Sequence, residues 1–371
     1  MRKELLLIPL SLVLALVAAE GLLRAFPTLL PLELQIALED SPETRGVSHP
    51  YIGNLHTPGS VTVRTGEFEI SYPTDAHGFN NAGPWPARAD IVAVGDSLTF
   101  GYGVAPDEAW PALIARELPD TTVINLGLIG AGPQQHLRIY ETFGVPLEPS
   151  ILLIGFFLAN DFWDAERFDT WLKSGGGGNY MVWRDFGGDT GDRIGSPAEA
   201  LRGTYLYNWA RFVRQSFRNW RAAEPKDLQL ADGGHVKLRP DQLAEMTGYI
   251  EPGNPIFELA LDALERIDAI AASHGTQVIV VLQPGKEETY LPLLDGTPAD
   301  PGAPLRAALE ARGIEYLDLL PAFREHAAAG TKLFFEVDGH PNAEGYRLTA
   351  EGILAYLERN AEKYGLAVAQ Q

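Results

Sequence analysis

Residues 91–101 read Ile-Val-Ala-Val-Gly-Asp-Ser-Leu-Thr-Phe-Gly, and this stretch decides the fold. Its first four residues are apolar and rich in β-branched side chains, which predicts a buried strand. The strand ends at Gly95, so Asp96 and Ser97 fall where a strand gives way to a loop and then a helix. Open α/β sheets place their chemistry at the carboxyl ends of parallel strands. Ser97 is therefore a candidate nucleophile, with a plain capping turn as the structural alternative.

The motif around Ser97 differs from the nucleophile elbow of the α/β-hydrolases. That elbow reads Gly-x-Ser-x-Gly, and Thr99 occupies the position of its second glycine. The sequence therefore favours a serine scaffold of a different kind.

Apolar strands and helical segments alternate along the rest of the core, which is typical of a parallel sheet covered by helices. The alternation stops between about residues 162 and 253, which we interpret as a long insert. Glycines 175–178 in this insert predict a mobile loop, because neither a preceding strand nor a following Lys-Ser/Thr marks a phosphate loop. Its aromatic segment, 205–220, is either core or a ligand groove. Strands are predicted at 91–94, 121–126, 151–157, 277–282 and 315–319, and helices at 108–118, 133–143, 257–273, 305–312 and 343–364.

The chain before this domain divides into two parts. Residues 1–24 open with a basic Met-Arg-Lys and continue into an apolar run, which predicts a cleaved signal peptide or an uncleaved membrane anchor. We favour the anchor, and either reading places the protein on the periplasmic or extracellular face. Residues 25–87 read as a β-rich lead-in, with a small hairpin at 60–70 that turns at Gly66. The main domain spans 88–365, and 366–371 form a C-terminal tail.

Composition excludes several classes of function. The chain has 371 residues, of which 46% are hydrophobic, enough for one large α/β domain with insertions or two modest domains. A net charge of −20 makes nucleic acid an unsuitable partner. The absence of cysteine removes disulfides, thiolate metal sites and a cysteine nucleophile.

A histidine with a nearby acid follows the last predicted strand. A serine hydroxyl needs a base to become nucleophilic, and the base needs a partner for its other ring nitrogen. His340 can be that base and Asp338 its partner, although Glu336 or a backbone carbonyl could orient the ring instead. The structural alternative is a capping turn in which Asn342 starts the final helix. A metal site at Asp338 and His340 is conceivable, but it would explain none of the residues near Ser97.

Together, four segments in this order resemble the SGNH (GDSL-type) hydrolase family. They are Gly-Asp-Ser-Leu-Thr-Phe-Gly at 95–101, Gly130, Asn160-Asp161 and the pair Asp338/His340. The resemblance covers roughly 88–365 and implies a flavodoxin-like three-layer sandwich with a five-stranded parallel sheet. It also implies that Ser97 is the nucleophile, His340 the base and Asp338 the orienting acid. The oxyanion hole would consist of the backbone N–H groups of Ser97 and Gly130 and the side-chain amide of Asn160.

The resemblance carries further expectations and two departures. Asp96 and Asp161 would hold loops through hydrogen bonds to backbone. The family's commonest final block is Asp-x-x-His, whereas the shorter Asp-x-His here resembles related proteins that O-acetylate exported polysaccharides. Gly127 and Gly132 flank Gly130, so the oxyanion glycine could be either neighbour.

We therefore expect an exported serine esterase that removes short acyl groups, acetyl above all, from envelope or exported carbohydrate. The substrate would be an acylated small molecule, carbohydrate or lipid, with no metal or cofactor. An O-acyltransferase acting on an exported polysaccharide and a non-catalytic carbohydrate-binding accessory protein are the alternatives. Lys286 follows the fourth strand and is either a contact for an anionic substrate group or a solvated loop lysine.

Overall fold

The computed structural model describes residues 2–31, 34, 46–186, 204–220, 224–231, 233–296 and 300–365. The predicted C-terminal tail therefore lies outside the described residues. The N-terminal segment forms helix α1 (Arg2–Ala25). Its Glu20 carboxylate accepts the N–H groups of Tyr205 and Leu206, both at 3.0 Å, and so caps a helix of the insert. In the part of the chain that the structure describes, no helix is both long enough and apolar enough to cross a membrane.

The lead-in forms two antiparallel pairs of strands. The second pair is the predicted hairpin, but its return strand begins at Glu69, so Glu67 lies in the loop instead of a strand. The cause is Thr65, whose hydroxyl accepts the N–H groups of Glu67 at 3.1 Å and Phe68 at 3.2 Å. The strands are β1 (Val47–His49), β2 (Gly53–Leu55), β3 (Gly59–Arg64) and β4 (Glu69–Thr74).

A five-stranded parallel sheet forms the centre of the molecule. Its strands lie in the order β11 (Tyr316–Asp318), β10 (Gln277–Gln283), β7 (Ile151–Phe157), β5 (Ile91–Gly95) and β6 (Val123–Gly127). This is the flavodoxin-like order and confirms the predicted fold class. The order reverses between β5 and β7, and the crevice there is where this fold places its ligands. The first half of the core comprises β5 (Ile91–Gly95), α2 (Ser97–Phe100), α3 (Trp110–Glu117), β6 (Val123–Gly127), α4 (Pro133–Ile139) and β7 (Ile151–Phe157).

The insert is partly helical and carries a small hairpin. It follows β7 and returns to the core before the fourth strand. Its elements are α5 (Asp161–Lys173), α6 (Tyr180–Phe186), α7 (Tyr205–Trp220), β8 (Lys226–Gln229), β9 (His235–Leu238) and α8 (Pro240–Thr247). The four glycines at 175–178 join α5 to α6, and three of them have positive φ, a conformation that glycine adopts without strain.

The second half of the core restores the strand–helix alternation. Its elements are α9 (Pro255–Ser273), β10 (Gln277–Gln283), α10 (Lys286–Asp295), α11 (Ala303–Arg312), β11 (Tyr316–Asp318), α12 (Leu320–Ala328), α13 (Ala343–Arg359) and α14 (Ala361–Tyr364). Successive strand residues face opposite layers, as the pleat requires. Val92 and Val94 pack in one apolar cluster with α4, α9 and α11, while Ile91 and Ala93 pack in the other with α3, α12 and α13.

Besides the hairpin, three predicted elements differ from the structure in type or continuity. The segment after β10 is helix α10, with Lys286 as its first residue, and it is not a loop. The predicted helix at 133–143 ends at Ile139 and continues as a single π-helical turn, Tyr140–Gly144. The final helix is interrupted at Asn360, where the backbone leaves helical geometry between α13 and α14.

Candidate active site

Ser97 lies just beyond the carboxyl end of β5 and is the first residue of the one-turn helix α2. Asp96 caps this helix by accepting the N–H of Leu98 at 2.9 Å, and Gly101 ends it with φ +95°. The strand cannot carry a larger residue at its end, since a Cβ on Gly95 would lie 2.1 Å from the Thr99 hydroxyl. The chain therefore turns sharply after β5, and this turn places the buried Ser97 at the edge of the sheet.

Ser97, His340 and Asp338 form a continuous hydrogen-bonded chain. The Ser97 Oγ lies 2.8 Å from His340 Nε2, and His340 Nδ1 lies 2.6 Å from Asp338 Oδ1. The same Asp338 oxygen accepts the backbone N–H of His340 at 2.9 Å, which fixes the carboxylate relative to the ring. These are the contacts that a serine nucleophile, its base and an orienting acid require. The structure brings together all three residues that the sequence singled out.

The structure also distinguishes between the acids that could orient His340. Glu336 points away and pairs with Lys237 at 3.2 Å, whereas Asp338 contacts the ring. Burial acts to raise the pKa of Asp338, but the hydrogen bonds and positive charge of His340 outweigh it and lower that pKa. Asp338 is therefore held as a carboxylate, the form that stabilises a protonated ring.

The family resemblance implies three oxyanion donors, and each of them has an N–H group that a substrate oxygen could use. Among the described residues, the N–H groups of Ser97 and Gly130 donate to no protein acceptor. Asn160, at the end of β7, contacts the Asp96 carboxylate through its side-chain amide. Burial raises the pKa of Asp96, opposed by its hydrogen bonds to Leu98 and Asn160. An amide has two N–H groups, so Asn160 can keep Asp96 as its partner and still donate to a substrate oxygen.

The two glycines that flank Gly130 use their N–H groups elsewhere. Gly127 donates to the Asn125 side chain at 2.8 Å, and Gly132 donates more weakly to Gln135 at 3.4 Å. Gly130 alone of the three has positive φ, +71°, on the described loop. Of the three glycines, Gly130 is therefore the one whose N–H remains available for the donor role that the resemblance implies.

Known proteins resemble this chain in sequence and in fold. The profile of the GDSL-like lipase/acylhydrolase family matches residues 93–348, more than half of the chain. This chain belongs to that family. No match to the sequence was found among curated proteins. Among solved structures, a lipolytic G-D-S-L protein from Veillonella parvula is 17% identical, with a TM-score of 0.38, over 72% of this chain and 98% of its own. A catalytic mutant of an acetylxylan esterase from Geobacillus stearothermophilus is 13% identical, with a TM-score of 0.40, over 76% and 97%.

In this GDSL-like hydrolase, an arginine from the insert binds the loop 128–132, which carries Gly130 and which we call the oxyanion loop. Arg184 Nη1 donates to the Gly130 carbonyl at 3.1 Å and to the buried Asp164 carboxylate at 3.0 Å. Burial raises the pKa of Asp164 to about 7, against the opposing effect of Arg184. A Cβ on Gly130 would lie 2.2 Å from the same guanidinium. Sequence reasoning missed Arg184 and Asp164, since no local pattern links them to a loop more than 30 residues earlier.

Lys286 lies beside the site, but its environment contradicts the solvated-loop alternative. The residue is 2% exposed, and its Nζ donates to the carbonyl oxygens of Glu336, Val337 and Asp338 at 3.3, 2.7 and 3.0 Å. An ammonium has three protons, and all three have backbone acceptors here. We therefore correct the prediction of a substrate contact: Lys286 binds the loop that carries Asp338.

A cleft of about 570 Å³ opens next to Asn160. Trp163 and Tyr249 line it, together with the exposed polar side chains of Gln242 and Glu245. The aromatic segment 205–220, for which the sequence left core and ligand groove open, forms α7, and the N–H of its first residue, Tyr205, donates to Glu20 of α1. The aromatic lining beside the site thus comes from α5 and from the segment after α8.

Proposed function

We propose that this GDSL-like hydrolase is an exported serine esterase that removes short acyl groups, acetyl above all, from carbohydrate. The observation that carries the proposal is the 2.8 Å contact of Ser97 Oγ with His340 Nε2, backed by Asp338 at 2.6 Å. Family membership supports a hydrolase that acts on esters. The N-terminal sequence supports export and attachment to a membrane.

Each residue of the site would have a separate role in the reaction. Ser97 Oγ attacks the ester carbonyl carbon while His340 Nε2 takes the hydroxyl proton, giving a tetrahedral oxyanion and an imidazolium. The N–H groups of Ser97 and Gly130 and the amide of Asn160 donate to that oxyanion. His340 then gives its proton to the departing alcohol and leaves an acyl group on Ser97. Water then attacks the acyl carbon while His340 Nε2 takes one of its protons, giving a second tetrahedral oxyanion. This intermediate collapses, the bond between the acyl carbon and Ser97 Oγ breaks, and His340 returns the proton to Ser97 Oγ as the acid leaves.

The cleft beside Asn160 supports a carbohydrate as the alcohol part of the ester. An aromatic ring next to amide and carboxylate groups offers both an apolar face and hydrogen-bond partners, which a sugar ring can use together. Trp163 and Tyr249 supply the rings, and Gln242 and Glu245 supply the polar groups. An acetyl group needs little further space, so most of the binding surface would contact the sugar.

Ester hydrolysis by the full-length protein in detergent tests this proposal. We expect turnover of nitrophenyl acetate and of an acetylated oligosaccharide, with shorter chains preferred over butyryl and octanoyl esters. Ser97→Ala should lower kcat by roughly 10⁴–10⁶-fold. Ser273→Ala, at the remote end of α9, is the matched control and should keep the activity.

The other outcomes of this experiment distinguish the alternative functions. Acyl groups that appear on an added oligosaccharide faster than free acid would indicate an O-acyltransferase. Oligosaccharide binding that survives Ser97→Ala, without turnover by either protein, would indicate a binding accessory protein. Equal rates for the native protein and Ser97→Ala would overturn the serine mechanism.

A further inference from the structure

Two oppositely charged side chains grip the short loop that carries Asp338. Glu67, in the loop of the β3–β4 hairpin, accepts the N–H groups of three successive residues on that loop. The distances are 2.8 Å from Glu336 N to Oε1, and 3.1 and 2.6 Å from Val337 N and Asp338 N to Oε2. Successive N–H groups that converge in this way form an anion-binding nest, and the Glu67 carboxylate fills it.

Lys286 binds the carbonyl groups of the same three residues whose N–H groups Glu67 accepts. Its ammonium binds the three carbonyl oxygens of residues 336–338, so both backbone groups of each of these residues have a charged partner. Hydrogen bonds to charged groups are the stronger kind. The Glu67, Asp338 and Glu287 carboxylates favour the charged form of Lys286, although burial lowers its pKa. We call the pair Glu67 and Lys286 the loop clamp.

The clamp acts on a loop whose ends are already closed. Phe335 N donates to the His340 carbonyl at 3.2 Å, and Asn342 N donates to the Leu333 carbonyl at 3.0 Å. These bonds fix the base of the loop, but they do not involve residues 336–338 at its tip. Val337 at the tip has a 61% exposed side chain, so apolar packing cannot hold it there. Lys237 on β9 holds Glu336, by donating its N–H to the Glu336 carbonyl at 2.8 Å and by pairing with its carboxylate at 3.2 Å. The clamp extends this hold across all three tip residues, including Asp338.

Aromatic contacts extend the same hairpin to the catalytic ring. Phe68, next to Glu67, packs against Phe335 with ring centroids 4.8 Å apart and against Tyr102 at 5.4 Å. Tyr102 in turn packs on His340, with centroids 4.2 Å apart. The hairpin loop therefore contacts both the segment that carries Asp338 and the ring system that covers His340.

We propose that Glu67 and Lys286 are positioning residues for the reaction, which set the Asp338 carboxylate at hydrogen-bonding distance from His340 Nδ1. The proposal rests on the proposed serine esterase function. It makes the N-terminal hairpin a working part of the active site, although the hairpin lies outside the 93–348 segment matched by the family profile.

Glu67→Gln tests the proposal with little change in size. One carboxylate oxygen becomes an NH₂ group, which cannot accept the N–H groups that face it. We expect kcat for nitrophenyl acetate to fall by about tenfold to a hundredfold through misplacement of Asp338, with KM unchanged. The acidic limb of the kcat/KM profile should move to lower pH, because a less well aligned carboxylate stabilises the imidazolium less.

The matched control is Glu69→Gln, two residues along the same hairpin. The exposed Glu69 carboxylate pairs with Arg64 across the hairpin, at 3.3 Å, so the kinetics and pH profile of Glu69→Gln should match those of the native protein. Lys286→Met should reproduce the Glu67→Gln phenotype. The double variant should lose less than the product of the two single losses, because both residues act through one loop.

Two results would overturn the clamp. One is a Glu67→Gln enzyme whose kcat and acidic limb equal those of Glu69→Gln. The other is a loss of activity that merely follows the folded fraction, with the limb unmoved.

Hydrogen exchange separates this proposal from the proposed function. Amides of residues 336–338 should exchange faster in Glu67→Gln than in Glu69→Gln, whether or not the protein hydrolyses esters. If the native protein shows no Ser97-dependent turnover but this difference appears, the esterase proposal fails and the clamp stands as a structural grip. If turnover is normal and exchange is unchanged, only the clamp fails.

Discussion

At the scale of the residue, Asn160 shows how one side chain joins two parts of the site. It follows the uninterrupted apolar strand β7 and precedes α5, so its amide emerges at the sheet edge beside β5. There it contacts Asp96 and borders the 570 Å³ cleft. This position suits the oxyanion role that we propose for Asn160, beside a cleft that a substrate could enter.

Replacement of Asn160 by alanine should affect the transition state more than the bound substrate. An oxyanion donor acts most strongly when negative charge develops, and the loss of one such donor typically costs about 10²–10³-fold in kcat. We expect a loss of this size for nitrophenyl acetate, with KM changed by less than about threefold. Asn360→Ala, at the remote break between α13 and α14, is the control. A raised KM with an unchanged kcat would instead show that Asn160 binds the substrate and the transition state equally.

The sequence predicts individual residues well where the chemistry is local. Ser97 and Asn160 each stand directly after an apolar run, so their place at the sheet edge follows from the strand. Asp96 and Asp161 accept backbone N–H groups, as predicted, from Leu98 and Phe157 at 2.9 Å each. The contacts of Lys286 and Glu67 could not be predicted, because their partners lie 50–52 and 269–271 residues away along the chain.

At the scale of the element, the fold followed from sequence wherever strands are buried on both faces. The apolar run 151–157 predicts β7 to the residue, and the central sheet was placed correctly. The helix α10 was missed because Pro284 and Gly285 at its start, and Pro292 within it, favour a loop by local preference. Packing of Tyr290 and Leu291 into the core overrides that preference. The sequence predicts an insert at about 162–253 but not the helices within it. Several short elements follow one another there, so no single hydrophobic period is sustained.

The insert helix α6 should contribute to catalysis through Arg184. Arg184→Met removes the bond to the Gly130 carbonyl and leaves the Asp164 carboxylate without this partner. We expect kcat to fall by about tenfold to a hundredfold, as the oxyanion loop loses its brace, with KM nearly constant. Steady-state kinetics should be compared with those of Arg116→Met, an exposed arginine on α3. Full activity in Arg184→Met would show that the loop keeps its geometry without the insert.

At the scale of the whole molecule, several carboxyl groups are buried despite a net charge of −20. Burial raises the pKa of Asp96, Asp161, Asp164 and Glu288, so the folded state retains protons that the unfolded chain releases. Folding stability must therefore decline through part of the neutral range.

Glu288 gives this effect its sharpest test. It is 2% exposed on α10, and burial raises its pKa to about 8 from an ordinary value of 4.5. Its stabilising contribution is complete below pH 4.5 and disappears as the pH rises through 8, with a slope of about 1.4 kcal/mol per pH unit inside that window.

Glu288→Gln removes the titrating proton while keeping the side chain's shape. We expect the free energy of unfolding of this variant, measured with urea from pH 5 to 9, to fall less steeply than that of the native protein. Glu117→Gln, an exposed carboxylate on α3, should leave the native slope unchanged. Parallel pH curves for the native protein and Glu288→Gln would mean that Glu288 ionises normally in the folded state. The pH dependence would then have to come from the other buried carboxyls, for which Asp164→Asn offers the corresponding measurement.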